Sequence, residues 1–299
     1  MYQNEESMKQ AFIKLHLSIL LAGFTGIFGK LISLNEGLLV WYRLLFASII
    51  FFIVLKFYGK LKKVTMRDAV KIGLVGFVLS THWVFFYGSI KASNVSIGVV
   101  VLSLMGFFSS IFEPFIMHRG FRIREMGLSL IAVLGVVLIF SFDTRYRLGI
   151  GLGVVSSMLC SLYSILNKKV GRLYSSGTML LYQMIGGLVC LSFLMPVYLH
   201  FFTSKTMVPL GMDFIYMIIY VLFCTIALYV LQIQALKSLS AFTVNLSYNL
   251  EPVYSIIIAM ILFHESKDLN FSFWVGMSMI VISVLWQMYF VAKEKSLNV

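Results

Sequence analysis

The chain has 299 residues, 60% of them hydrophobic and only 12% charged, with a formal net charge of +12. A soluble domain of this size has no interior large enough for so much apolar side chain, and the polar stretches between the apolar runs are too short to fold alone. The positive charges lie between apolar runs rather than in one patch, a membrane-topology signal that sets nucleic acid aside as a partner.

Apolar runs of about 20 residues recur along the chain, each long enough to cross a hydrocarbon core once as a helix. They predict spans at residues 12–32, 36–57, 68–90, 94–117, 125–142, 148–167, 177–199, 213–235, 241–263 and 272–292. The first run follows Glu5 and Glu6 and lacks a small-residue cleavage site, so it reads as a first span and not a removable signal. Its Gly23, Gly26 and Gly29 stand at helical spacing and predict close helix packing. His16 here and His82 in the third span read as hydrogen-bonded packing residues. Cys160, Cys190 and Cys224 all lie inside apolar runs without metal-like spacing and read as buried thiols. Gly149, Gly151 and Gly153 form no nucleotide loop, because no strand precedes them and no P-loop Lys-Ser/Thr follows. The Asn-x-Ser triplets at Asn94, Asn245 and Asn270 are chance matches, the first two lying at or within spans.

With loops alternating sides, 17 of the 24 Lys and Arg residues fall on one side and 6 on the other, Arg43 lying within a span. The positive-inside rule then places both termini in the cytoplasm.

The chain also matches itself. Ser18 aligns with Ser156 and Lys30 with Lys168 at an offset of 138, and Trp41-Tyr-Arg43 with Leu181-Tyr-Gln183 at 140. Lys91 meets Lys237, Gly106 meets Pro252 and His118 meets His264 at 146, and Gly127 then meets Gly276. A shared order with slowly growing offsets indicates a duplicated five-span unit. Five is odd, so the halves have opposite orientations, an arrangement found in secondary transporters with a midplane substrate site between the repeats. The fold class expected is an all-α integral membrane protein: ten transmembrane helices in two inverted five-helix repeats, N and C termini cytoplasmic. Residues 1–142 form the first repeat, 148–292 the second and 293–299 a cytoplasmic tail.

The chemistry concentrates in Asn245-Leu-Ser-Tyr-Asn-Leu-Glu-Pro-Val-Tyr254. Glu251 falls near mid-span, where a carboxylate costs on the order of 2–4 kcal/mol and must face protein or a wet cavity. Pro252 beside it removes a backbone donor and loosens the helix. Asn245, Tyr248, Asn249 and Glu251 stand at steps of roughly one turn, a stripe suited to a lined cavity. A proton- or amine-binding Glu251 and a hydrogen-bonded Glu that braces packing both fit these residues. Arg43 keeps its charge, so it must meet carbonyls, a gating partner or an anionic substrate. Gln183 matches it in the second half and is neutral. Trp41, Trp83 and Tyr163 are candidate cavity walls, with Tyr229 the repeat partner of Trp83. Asn94 and Lys91 open span four as candidate outer-gate residues, and Pro252 and Gly106 are candidate hinges. Glu113 near the end of span four, beside His118, Arg119 and Arg122, reads as an interfacial salt bridge.

On these residues the chain resembles the drug/metabolite transporter superfamily, specifically its ten-span EamA type. The resemblance rests on Trp41-Tyr-Arg43, Gly149-Ile-Gly-Leu-Gly153, Asn167-Lys-Lys169, Leu250-Glu-Pro-Val253, His264-Glu265 and Phe273-Trp-Val-Gly276, and covers nearly the whole chain. It departs from the family at His118-Arg119 and His264-Glu265, where Gly-Glu is usual, and at Gly106, where proline is common. The resemblance implies export or exchange of small polar metabolites, often amino acids, across the cytoplasmic membrane by alternating access, with no enzyme activity and no cofactor. The partners implied are a small-molecule substrate, the lipid bilayer and protons as coupling ion, for a monomer. A small-multidrug-type proton antiporter wants an acid in span one or six, and neither span has one. An organic-anion or sugar-phosphate exchanger wants several basic residues in its spans, and only Arg43 qualifies. A membrane enzyme lacks any His-Asp-Ser set, metal cluster or cofactor motif.

Overall fold

A computed structural model of the chain describes residues 2–140, 146–171, 174–263 and 271–297. The motif pair His264-Glu265, Asn270, Arg145, Arg172 and Lys267 lie outside the described residues. Among those described there are helices and turns only. In chain order the helices are α1 (Tyr2–Ala22), α2 (Thr25–Leu31), α3 (Glu36–Phe57), α4 (Met66–Ala92), α5 (Val95–Leu102), α6 (Met105–Met117) and α7 (Ile123–Phe140). There follow α8 (Arg147–Val170), α9 (Ser176–Phe201), α10 (Met212–Val221), α11 (Leu228–Ser238), α12 (Ala241–Ser247), α13 (Glu251–Phe263) and α14 (Phe271–Leu297).

Seven helical runs among the described residues are long and apolar enough to cross a membrane: Met8–Leu31, Glu36–Phe57, Met66–Ala92, Val95–Met117, Arg147–Val170, Ser176–Phe201 and Met212–Ser238. A shorter apolar stretch, Trp274–Gln287, lies within α14.

Polar residues set the helix starts. Asn35 Oδ1 accepts the Leu38 N–H and Ser175 Oγ the Thr178 N–H, at matching places in the two halves. Asn94 Oδ1 accepts from Ile97 N and Ser240 Oγ from Thr243 N, again at matching places. Each side chain satisfies one of the orphan donors of a first turn. The loops repeat too: the Lys91 ammonium donates to the Leu34 carbonyl, and Lys237 Nζ donates to the Tyr174 carbonyl at 2.7 Å. Equivalent residues thus make equivalent bonds, which extends the sequence duplication into local structure.

Packing runs across the two halves. α4 lies against α8 and α9, α1 against α11, and α7 against α14. The α4–α9 crossing is so close that only glycine fits. A Cβ on Gly76 would stand 2.0 Å from the Gln183 carbonyl oxygen, and one on Gly186 would stand 2.1 Å from the Gly73 Cα. Small residues let backbones approach in this way, and dispersion then holds helices that share the same apolar surroundings. Gly23, Gly26 and Gly29 are likewise closely covered, by Tyr254, Val95 and the Tyr87 ring.

Four runs are irregular. The first is interrupted at Gly23–Phe24 and the fourth at Ser103–Leu104. Between α10 and α11, Leu222–Ala227 winds as a π-helix, and between α12 and α13, Tyr248–Leu250 winds as a 3-10 helix.

Candidate functional site

The 3-10 turn follows from Pro252. In a regular helix the N–H of residue 252 would bond to the Tyr248 carbonyl, and proline has none. The Glu251 N–H takes that carbonyl instead, which tightens the turn. The winding places Tyr248 and Glu251 on the wall of a buried cavity of about 30 Å³, room for about one water-sized group. Ala22 and Thr25 flank the Gly23–Phe24 interruption, and Leu102 and Met105 flank the Ser103–Leu104 one; all four line the same cavity. Three interrupted helical runs therefore converge where α4 and α11 supply Trp83 and Tyr229. Glu251 is 4% exposed, and among the described residues its carboxyl has no hydrogen-bond or ion-pair partner.

Arg43 does not reach this cavity as a free cation. It is fully buried, Nε donating to Thr225 Oγ1 at 2.8 Å, Nη2 to the Cys224 carbonyl at 2.8 Å and Nη1 to Tyr87 Oη at 3.1 Å. Its guanidinium lies 3.4 Å from the Trp83 ring centroid and 4.5 Å from that of Tyr220, and the Tyr87 and Tyr220 hydroxyls bond to each other. Two of its partners sit in the π-helical turn. The arrangement is a closed box of charge-assisted bonds and cation–π contacts that joins α3, α4 and the α10–α11 run.

The matching residue, Gln183, is held differently. Its Nε2 donates to Asn167 Oδ1 at 3.1 Å, and Asn167 Nδ2 donates to Tyr163 Oη at 2.9 Å. Tyr163 packs edge-on against Tyr229 with 6.0 Å between centroids, so it backs the cavity wall from behind. Gln183 and Tyr163 are absent from the cavity lining. Asn167 instead opens onto a separate space of about 270 Å³ shared with Lys168 and Lys237.

The stripe expected in span nine divides. Asn245 bridges two helices: Ser164 Oγ donates to its Oδ1 and its Nδ2 donates to Ser109 Oγ, both at 2.7 Å. Tyr248 Oη donates to Ser18 Oγ at 2.9 Å. Asn249 is fully buried, does not line the cavity, and neither of its side-chain polar atoms has a partner among the described residues. The 3-10 winding is the reason: one helical stripe cannot stay on one face through a change of pitch.

Trp41 lies at the α3–α9 contact, its Nε1 donating to Ser192 Oγ at 2.9 Å, and is also absent from the cavity lining. Asn94 is occupied as an N-cap and Lys91 by the Leu34 carbonyl. Gly106 packs on Leu246. The interruptions themselves fall at Ser103–Leu104 and Tyr248–Leu250, just before Gly106 and Pro252. Glu113 does pair with Arg119, at 3.4 Å, but it also accepts the Phe242 N–H at 2.8 Å and the Ala241 N–H at 3.4 Å, capping α12 from another helix. Arg119 bonds in turn to Glu125 at 2.5 Å. His82 bonds to Ser156 through Nδ1 and also borders the cavity.

Gln232 and Thr25 complete the cavity's polar wall and were not among the expected residues. The signal for Gln232 was present: it stands three residues after Tyr229 and shares its helical face.

A larger space, about 650 Å³, is an apolar groove between α3, α4, α8 and α9, with Glu36, Lys91 and Tyr198 among its walls. Leu148, Leu194 and Phe202 on its rim are exposed, as suits hydrocarbon and not a polar solute.

The model of the EamA-like transporter family matches residues 11–141 and again 147–289. A protein of Bacillus subtilis (strain 168) named "Uncharacterized transporter YxxF" is 24% identical over 192 residues, a match spanning 62% of this chain and 62% of that protein. A crystal structure of another protein superposes with a TM-score of 0.68 over 93% of this chain and 96% of its own, at 14% identity, which is a likeness of fold alone.

Proposed function

The chain belongs to the EamA-like transporter family, matched twice along its length, and from that premise we propose that it is a secondary transporter exporting small polar metabolites, amino acids or related compounds, by alternating access. It is a multi-pass membrane protein of the transporter class. On our reading it crosses the cytoplasmic membrane ten times as two inverted repeats, both termini cytoplasmic, and works as a monomer. The inside-positive bias and the equivalent loop bonds of Lys91 and Lys237 support that topology.

The observation that carries the reading is Glu251, a buried carboxyl without a bonded partner among the described residues, on a cavity where three interrupted helical runs meet. Broken helices around a mid-membrane polar site are the architecture of alternating access. The interruptions are the hinges, Glu251 is the group that meets solute or proton, and the Arg43 box closes one side of the path. With Arg43 locked into three hydrogen bonds, an organic-anion exchanger loses its one in-span cation.

Proteoliposomes loaded with a mixed amino-acid pool test this. Wild-type protein releases a subset of the pool, release responds to an imposed pH gradient, and Glu251→Gln removes that response. A Glu251→Gln variant that transports as well as wild type at every pH would remove Glu251 from the mechanism.

A further inference from the structure

We infer that the central cavity binds a compact monovalent cation, the primary ammonium group of the transported solute, between the Glu251 carboxylate and the side-chain oxygen of Gln232. The inference rests on the proposed route of solute through this cavity. Gln232 is 3% exposed and lies on α11 one turn beyond Tyr229. Its Oε1 has no hydrogen-bond partner among the described residues. A buried acceptor left bare is costly, and a carboxyl without a bonded partner on the same cavity adds to that cost. Both are satisfied at once by a donor with several N–H groups.

The other walls favour the same occupant. Trp83 and Tyr229 stand at 70° to one another with 5.3 Å between centroids, and aromatic rings attract a cation over their faces. No Lys or Arg is among the described residues that line the cavity. The nearest guanidinium, Arg43, stacks on Trp83 with its donors already engaged by Thr225, Tyr87 and Cys224. With those donors spent, the N–H groups that would meet Glu251 and Gln232 come from the ligand. At about 30 Å³ the cavity admits a headgroup the size of an ammonium and excludes a quaternary ammonium.

Thermal unfolding of the purified full chain in detergent tests this, with methylammonium, tetramethylammonium or sodium chloride titrated at constant ionic strength. A ligand that binds the folded state raises its unfolding temperature by mass action. Methylammonium raises it for wild type and tetramethylammonium does not. Gln232→Leu weakens the methylammonium response about ten-fold, the effect of losing one hydrogen bond to a charged group, and Glu251→Gln abolishes it. Gln232→Met, closer in length and shape, serves if the leucine variant does not fold. Equal responses to methylammonium and tetramethylammonium, or a response unchanged in both Gln232 variants, overturn the site. A response to sodium with the same dependence on Gln232 and Glu251, and none to methylammonium, overturns the solute's amine as source and assigns the site to a free cation. Amino-acid efflux that persists when the site is overturned leaves the transporter reading intact and removes only this one.

Discussion

Trp83 and Tyr229, matching residues of the two repeats, bond to each other: the indole Nε1 donates to the Tyr229 oxygen at 2.7 Å. In an inverted duplication, equivalent residues meet only on the axis that relates the halves, so on the topology proposed above this pair would mark that axis. Trp83→Phe removes the donor but keeps a ring. The expected loss is about 1 kcal/mol, a fall of a few degrees in unfolding temperature. Trp83→Ala also opens a cavity and costs about 3–5 kcal/mol. Equal effects of the two variants in a melting series would mean that the hydrogen bond alone matters.

Arg43→Lys separates a structural role from a solute-binding one. An ammonium cannot reproduce three directed bonds and a flat stack on Trp83, so destabilisation of about 2–4 kcal/mol is expected although the charge is kept. The measurement is unfolding temperature beside transport KM. A stable lysine variant with a raised KM would place Arg43 in contact with solute.

The α4–α9 crossing gives a steric prediction. Gly186→Ala and Gly76→Ala put a methyl into opposing backbone and are expected to cost more than about 3 kcal/mol or to abolish stable expression. Gly151→Ala meets nothing within 4 Å and sits in a helix, so it should be neutral or stabilising by up to about 1 kcal/mol. Fluorescence-detected size-exclusion profiles of the three variants decide it.

Glu113 caps α12 from a helix of the other repeat. Glu113→Gln keeps the shape but loses the charge, with an expected cost of about 1–2 kcal/mol; Glu113→Ala leaves two backbone donors bare and costs more. Equal melting temperatures for wild type and both variants would show that the cap contributes nothing.

Topology is open to direct labelling. Lys62→Cys should react with a membrane-impermeant maleimide only from the cytoplasmic face, and Leu210→Cys, at a position 76% exposed, only from outside. Both should be read in a background lacking Cys160, Cys190 and Cys224. Reaction of the two from one face would break the ten-span reading.

The sequence by itself determined the class of architecture, because a bilayer leaves a backbone little freedom: apolar runs of sufficient length become helices, and their ends are written in Asn35, Asn94, Ser175 and Ser240. It also determined the duplication and marked Glu251, because a carboxylate in hydrocarbon is too costly to be incidental. Tertiary structure alone decided which polar residues share a space. Arg43 and Glu251 are both ionisable residues in apolar segments, yet one is boxed by a π-helical turn and two aromatic rings while the other faces a cavity. Asn249 looked equivalent to Tyr248 until the missing N–H of Pro252 changed the pitch and turned it away. Gln232, on the helical run just before, comes to the same cavity as Glu251 through a convergence of helix interruptions that span-by-span periodicity does not encode.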